Sequence, residues 1–226
     1  SIGFVIAVVG LGYFFEIAGI RLLEHVVTAL LLFIWLSSYF VTELKTDLHE
    51  ANESLQGILN YLKRPEFIAF FVGCFLVKLA HGPYYTFYTI YLNHYGYSNS
   101  LIGWLWSLGV IAELGMFFII GAIFRHWSLR AVLVASALIG IVRWVLIGFT
   151  PNSIGLLVFS QLLHALTFAS YHVAAVNWVR VKFDKRHLGQ GQALYSAVSF
   201  GAGSALGALL SGITVSYTHL TLPTSG

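Results

Sequence analysis

Charge is what this sequence has least of. Asp, Glu, Lys and Arg make up 9% of its 226 residues, against about 25% in a soluble globular domain. A chain of this length can bury a core, but so few charges cannot coat one. Cysteine is almost missing too. Cys74 stands alone, which excludes a disulfide framework and a cysteine-based metal site. The apolar runs lack period-2 alternation, so a transmembrane β-barrel is excluded. The chain opens at Ser1 inside an apolar run, without an initiator Met or a signal-peptide n-region, and is expected to be a fragment.

What is there is apolar, 58% of the chain. It comes in runs of about 20 residues, the length that crosses roughly 30 Å of hydrocarbon. Only helices then satisfy the backbone in lipid, so the expected class is an all-α, polytopic membrane protein. Seven spans are expected, at about 1–18, 24–41, 67–92, 100–124, 130–149, 154–179 and 189–213. Turn and polar signals separate them, such as Thr150-Pro151-Asn152-Ser153. The one long polar stretch is 42–66, where Leu44, Leu48, Ala51, Leu55, Leu59 and Leu62 fall at helical spacing between acids. That pattern predicts an amphipathic helix lying on the membrane, a connector between two bundles.

Lysine and arginine set the orientation. The connector carries Lys45, Lys63 and Arg64, and loop 93–99 carries none. Arg125 and Arg130 flank the next break, 150–153 carries none, and the last loop holds Arg180, Lys182, Lys185 and Arg186. The alternation obeys the positive-inside rule, with Arg21 the exception, and makes loops 42–66, 125–130 and 180–188 cytoplasmic. Basic charge spread over one membrane side does not describe a nucleic-acid surface. In the last span Ser199, Gly203, Gly207 and Ser211 recur every fourth residue, spacing that lets helix backbones approach closely. Helix packing and a sliding contact are both readings of that stripe.

Ionisable groups at mid-membrane depth carry the functional information, since each costs roughly 2.5–3.5 kcal/mol to insert. Lys78 lies about 11 residues, or about 17 Å, into its span, and Glu113 and Arg143 each lie about 13 residues into theirs. The last two occupy consecutive antiparallel spans, which allows an ion pair, either a structural bridge or one that opens during a working cycle. Gln161, His164, Phe168 and His172 share one face of their helix, and Lys78, His81, Tyr85 and Thr89 share one face of another. Two polar stripes on apolar helices predict opposite walls of a cavity. Histidine titrates near working pH, and His164 is the expected proton carrier beside Glu113. Tyr84, Tyr85, Phe87, Tyr88, Tyr91, Tyr95 and Tyr97 crowd one span end. An interfacial belt explains most of them, leaving Tyr85 and Trp106 as candidate ligand-stacking residues. Segment 215–226 (VSYTHLTLPTSG) is polar and aperiodic and resembles a translated sequencing adapter, so 214–226 is set aside as non-native.

Several runs resemble the phenylpropionate permease group of the major facilitator superfamily, close to lactose-permease-like proton symporters. They are Ala80-His81-Gly82-Pro83-Tyr84-Tyr85, the stretch from Gly103 to Glu113, Val142-Arg143-Trp144, Gln161-Leu162-Leu163-His164 and Gln192-Ala193-Leu194-Tyr195-Ser196-Ala197. The resemblance covers about 1–213. It implies a twelve-helix protein of two six-helix halves: 1–41 would hold the last two helices of the first half, 42–66 the central loop, and 67–213 the first five helices of the second. It further implies proton-coupled uptake of a small aromatic carboxylate by alternating access, in a bacterial inner membrane, by a monomer when complete. Glu113, Arg143 and His164 match the carboxylate, arginine and histidine that serve substrate and proton in such relatives. One departure is Arg125, which stands at the acidic position of the superfamily's loop motif.

The residues expected to bind substrate are therefore Arg143, Lys78, His81, Tyr85, Trp106, Gln161 and His172, and those expected to couple protons are Glu113 and His164. No cofactor or metal is expected. A retinal protein would need a lysine on its last span, a cytochrome paired histidines at matched depth, and a hydrolase a nucleophile with its base or a motif such as HExxH; none is present. The rival readings are a symporter of a neutral sugar or nucleoside, and a non-transporting receptor on the same fold.

Overall fold

A computed structural model describes residues 22–40 and 56–221, with side chains from 24 to 215. The first expected span and most of the connector lie outside these residues. The chain forms two compact units, 1–52 and 53–226. In the first, α1 (Leu22–Ser38) is an apolar helix of 17 residues. In the second, a short helix α2 (56–62) precedes α3 (Pro65–His94), α4 (Asn99–His126), α5 (Leu129–Phe149), α6 (Ile154–Lys182) and α7 (Leu188–Val215). These last five are long and apolar enough to cross a membrane, and no strand occurs among the described residues. The protein is all-α and polytopic.

Local chemistry sets the helix limits. Pro65 occupies the first turn of α3, where its missing N–H costs nothing. Gly96 ends that helix with φ +82°, a left-handed conformation suited to glycine. Ser98 and Ser128 cap α4 and α5 by accepting from Leu101 N at 3.3 Å and Ala131 N at 3.2 Å. The helix of α7 runs on to Thr221, past the end of the apolar run at 213, because its backbone bonds do not depend on apolar side chains.

α3 and α6 are the inner helices. Half of the apolar window of α6 and 44% of that of α3 are buried, against 17% for α4 and α7. α6 packs against both α4 and α5, which share no comparable interface, and α7 packs against α3. At the end of the bundle next to α2, Phe67, Phe70 and Phe71 of α3 meet Tyr171, Ala175 and Val179 of α6 and Tyr195 of α7. Ile58, Tyr61 and Leu62 of α2 pack on this cluster, whereas Leu59 of the expected stripe is exposed. Tyr61 donates to Asp184 at 2.9 Å and so ties α2 to the α6–α7 loop. The Asp184 carboxyl is held down at about 2 by hydrogen bonds from the His187 backbone and ring and from Tyr61.

The α3–α7 crossing explains the small-residue stripe. Pro83 lies inside α3 and has no N–H, which leaves the Leu79 carbonyl without its helical donor. The backbone of α7 comes up against that carbonyl at Gly207, where a Cβ would overlap the oxygen. A Cβ on Gly203 would lie 2.8 Å from the Phe75 carbonyl and 3.0 Å from Lys78 Cβ. Helix association in lipid rests on such close van der Waals contact. Gly207→Ala is therefore expected to cost about 1–3 kcal/mol by overpacking and to lower the thermal unfolding midpoint in detergent. Gly212→Ala, with open space around it, should leave the midpoint unmoved; equal effects would refute the close crossing.

Candidate functional site

The inner faces of α3 and α6, with α4 and α5 on either side of α6, carry the ionisable residues. Glu113 and Arg143 do not pair with each other. Because α6 stands between α4 and α5, Glu113 Oε1 meets His164 Nε2 on α6 at 2.7 Å. Arg143 reaches the other flank of α6, where its Nε donates to the Ser160 carbonyl at 3.1 Å. The expected Glu113–Arg143 pair does not form, because α4 and α5, though consecutive in sequence, are held apart by α6.

The two acid–base partners differ in access. The Glu113 side chain is 20% exposed and that of His164 5%, so the carboxylate borders open space and the imidazole lies behind it. The short contact requires a proton on Nε2 or on the carboxylate, and His164 Nδ1 has no hydrogen-bond partner among the described residues. A proton arriving at either group changes the charge of the pair without breaking its geometry.

Arg143 is 0% exposed. Its guanidinium carbon lies 4.3 Å from the Tyr84 ring centroid and 4.5 Å from that of Trp144. Neither terminal nitrogen has a hydrogen-bond partner among the described residues. The stacking ring is itself fixed. Tyr84 Oη donates to Gln161 Oε1 at 2.7 Å, and Gln161 Nε2 donates to Tyr88 Oη at 2.7 Å. Both ends of the buried Gln161 amide are thus engaged, and its work in this conformation is to hold two tyrosines. The interfacial belt expected at this span end does not include Tyr84 and Tyr88, which are buried. A signal was available, since His81, Tyr84 and Tyr88 follow i, i+3, i+7 and share a face.

The two polar stripes, expected to face each other across a cavity, instead lie against each other. The His81 ring lies 6.0 Å from those of His164 and Phe168, with His81 Nδ1 at 2.7 Å from the Val77 carbonyl and Nε2 unpartnered. Tyr85 is 46% exposed and stacks on Trp106 at 6.1 Å and 18°, while Trp106 Nε1 donates to Thr89 Oγ1 at 3.1 Å. His172 stands apart from the Glu113–His164 contact: its Nδ1 bonds Tyr195 Oη at 2.9 Å and its ring packs against Phe200. Lys78 Nζ lies 3.7 Å and 3.8 Å from the centroids of Phe168 and Phe200. Phe200 had no signal in the sequence, being one apolar residue among many.

Two stretches of π-helix adjoin these groups, Ala165–Ala169 directly after His164 and Ala197–Gly203 in α7. Such insertions shift the register of the helix beyond them and recur at functional sites. Among the described residues no cluster of three His, Cys, Asp or Glu side chains suits a metal ion.

Lipid-length helices that enclose a carboxylate–imidazole pair and two cations define a polytopic membrane protein with an ionisable interior. Residues 1–222 match the MFS_1 like family, and the chain belongs to that family of the major facilitator superfamily. It is a transporter-family chain, not an enzyme, and a multi-pass membrane protein. It is 38% identical over 148 residues, 65% of its own length, to the Escherichia coli (strain K12) protein named "Probable 3-phenylpropionic acid transporter". The aligned part spans 38% of that relative. No solved structure matches the chain.

Proposed function

We propose that this chain is the seven-helix middle of a twelve-helix secondary transporter that takes up a small aromatic carboxylate of the phenylpropionate kind together with protons, by alternating access across a bacterial inner membrane. The carrying observation is a charge imbalance. Glu113 is the one carboxylate between the ends of α3–α7, and it is engaged by His164. Lys78 and Arg143 are both buried, and neither forms an ion pair with a described carboxylate. Buried unpaired cations are costly, and an anionic ligand relieves that cost. The name of the Escherichia coli relative and the open Tyr85–Trp106 stack support an aromatic body for the anion.

In this reading Glu113 and His164 take the proton. Arg143 and Lys78 supply the positive field, Tyr85 and Trp106 receive the ring, and His81, Gln161 and His172 complete the polar walls. A neutral sugar or nucleoside is less well served, because the Gln161 amide that would bond it already bonds Tyr84 and Tyr88.

Competition for uptake in vesicles carrying the full-length transporter tests the substrate class. Aromatic monocarboxylates are expected to inhibit uptake of labelled 3-phenylpropionate, whereas sugars and nucleosides do not. Inhibition of uptake by sugars or nucleosides alone overturns the anion reading. Proton coupling is tested separately with Glu113→Gln, which keeps the shape of the side chain and removes its titration. Accumulation against a gradient should be lost while substrate exchange persists. Unchanged accumulation would move the proton to another group.

A further inference from the structure

The two buried cations are held in different ways, and the difference assigns them different work. Arg143 is locked: its Nε donates to the Ser160 carbonyl, and its guanidinium carbon lies over the rings of Tyr84 and Trp144. Tyr84 is in turn fixed by Gln161. Lys78 has no such frame. The residue is 3% exposed, and its ammonium, on a flexible stem, forms no ion pair with a described residue. Two aromatic faces hold it, Phe168 at 3.7 Å and Phe200 at 3.8 Å. A ring face attracts a cation through its quadrupole but replaces only part of the water the ammonium has lost.

Both rings of the clasp sit on irregular helix. Phe168 belongs to the π-helical stretch Ala165–Ala169 and Phe200 to Ala197–Gly203. Both rings are partly open to the surface. At Gly203, α7 runs close against Lys78 Cβ, which brings Phe200 within reach of the ammonium. Above the clasp an aromatic track continues. Phe168 meets Tyr85 edge-on at 6.5 Å and 79°, and Tyr85 stacks on Trp106. Two helical turns, about 10 Å, separate Lys78 from Tyr85 along α3.

We propose that Lys78, rather than Arg143, takes the substrate carboxylate, and that Phe168 and Phe200 occupy the ammonium until an anion displaces them. This rests on the anion reading above and narrows it. The ligand is a monoanion whose carboxylate sits at Lys78 and whose ring lies on the Phe168–Tyr85 side. Arg143 then acts as a fixed charge beside the site, without touching the ligand. No covalent step is involved; a cation–π contact is exchanged for an ion pair.

The test is binding to the purified full-length transporter, measured by calorimetry with 3-phenylpropionate and its neutral counterpart 3-phenylpropanol. Wild type is expected to favour the acid. Lys78→Met should weaken acid binding by roughly thirtyfold or more and alcohol binding far less, erasing the preference. Phe200→Leu removes a competitor for the ammonium and should tighten acid binding by about two- to tenfold, without affecting the alcohol. A Lys78→Met protein that still prefers the acid, in a wild type that does so too, overturns this inference and leaves the anion reading standing. Phe200→Leu that weakens acid and alcohol alike makes the ring a ligand contact and overturns the displacement. A wild type indifferent between acid and alcohol overturns the anion reading and this inference together.

Discussion

Everything at the site depends on α6 standing between α4 and α5. That placement takes the Glu113 carboxylate away from Arg143 and gives it to His164. It also leaves the guanidinium, buried among Tyr84, Trp144 and a single backbone carbonyl, without a carboxylate partner among the described residues. In a low-dielectric interior an unpaired cation is tolerated only where something else offsets its cost. Here aromatic faces offset part of it for Arg143 and for Lys78 alike. The remainder is the driving force that the proposed anion would use.

Packing and chemistry are joined through α3 and its neighbours. Pro83 frees the Leu79 carbonyl, glycines in α7 let that helix close on α3, and the same approach brings Phe200 over Lys78. On the other side the π-helical turn after His164 carries Phe168 toward the same ammonium. Serine bonds reinforce the frame at α6: Ser136 and Ser170 meet at 3.0 Å across α5 and α6, and Ser170 also donates to the Leu166 carbonyl. Polar side-chain bonds of this kind add to van der Waals contact in holding helices together within lipid.

Much of the architecture was legible in the sequence, for physical reasons. Hydrocarbon thickness fixes span length, so the runs that became α3 to α6 and the start of α7 could be laid out within a few residues, and their buried charges stood out against apolar neighbours. Helical periodicity also brought Lys78, His81 and Tyr85 onto one face and Gln161, His164 and Phe168 onto another, and those faces do meet. What periodicity does not contain is which helix lies beside which. For that reason the partner of Glu113 was misassigned. Tyr84 and Tyr88 were hidden by composition: in a tyrosine-rich span end, two buried tyrosines look like belt residues until Gln161 is seen between them. Phe200 was illegible because its role comes from a π-helical offset and a helix crossing, neither of which leaves a mark on an apolar run.

The pairing of Glu113 is thus the central claim, and double-mutant cycles on the unfolding free energy of the intact protein measure it directly. Glu113→Gln is combined with His164→Gln in one cycle and with Arg143→Gln in the other. The expected result is a coupling energy of about 1–3 kcal/mol for Glu113 with His164, larger than that for Glu113 with Arg143. The reverse order, with the stronger coupling to Arg143, would contradict the placement of α6 between them.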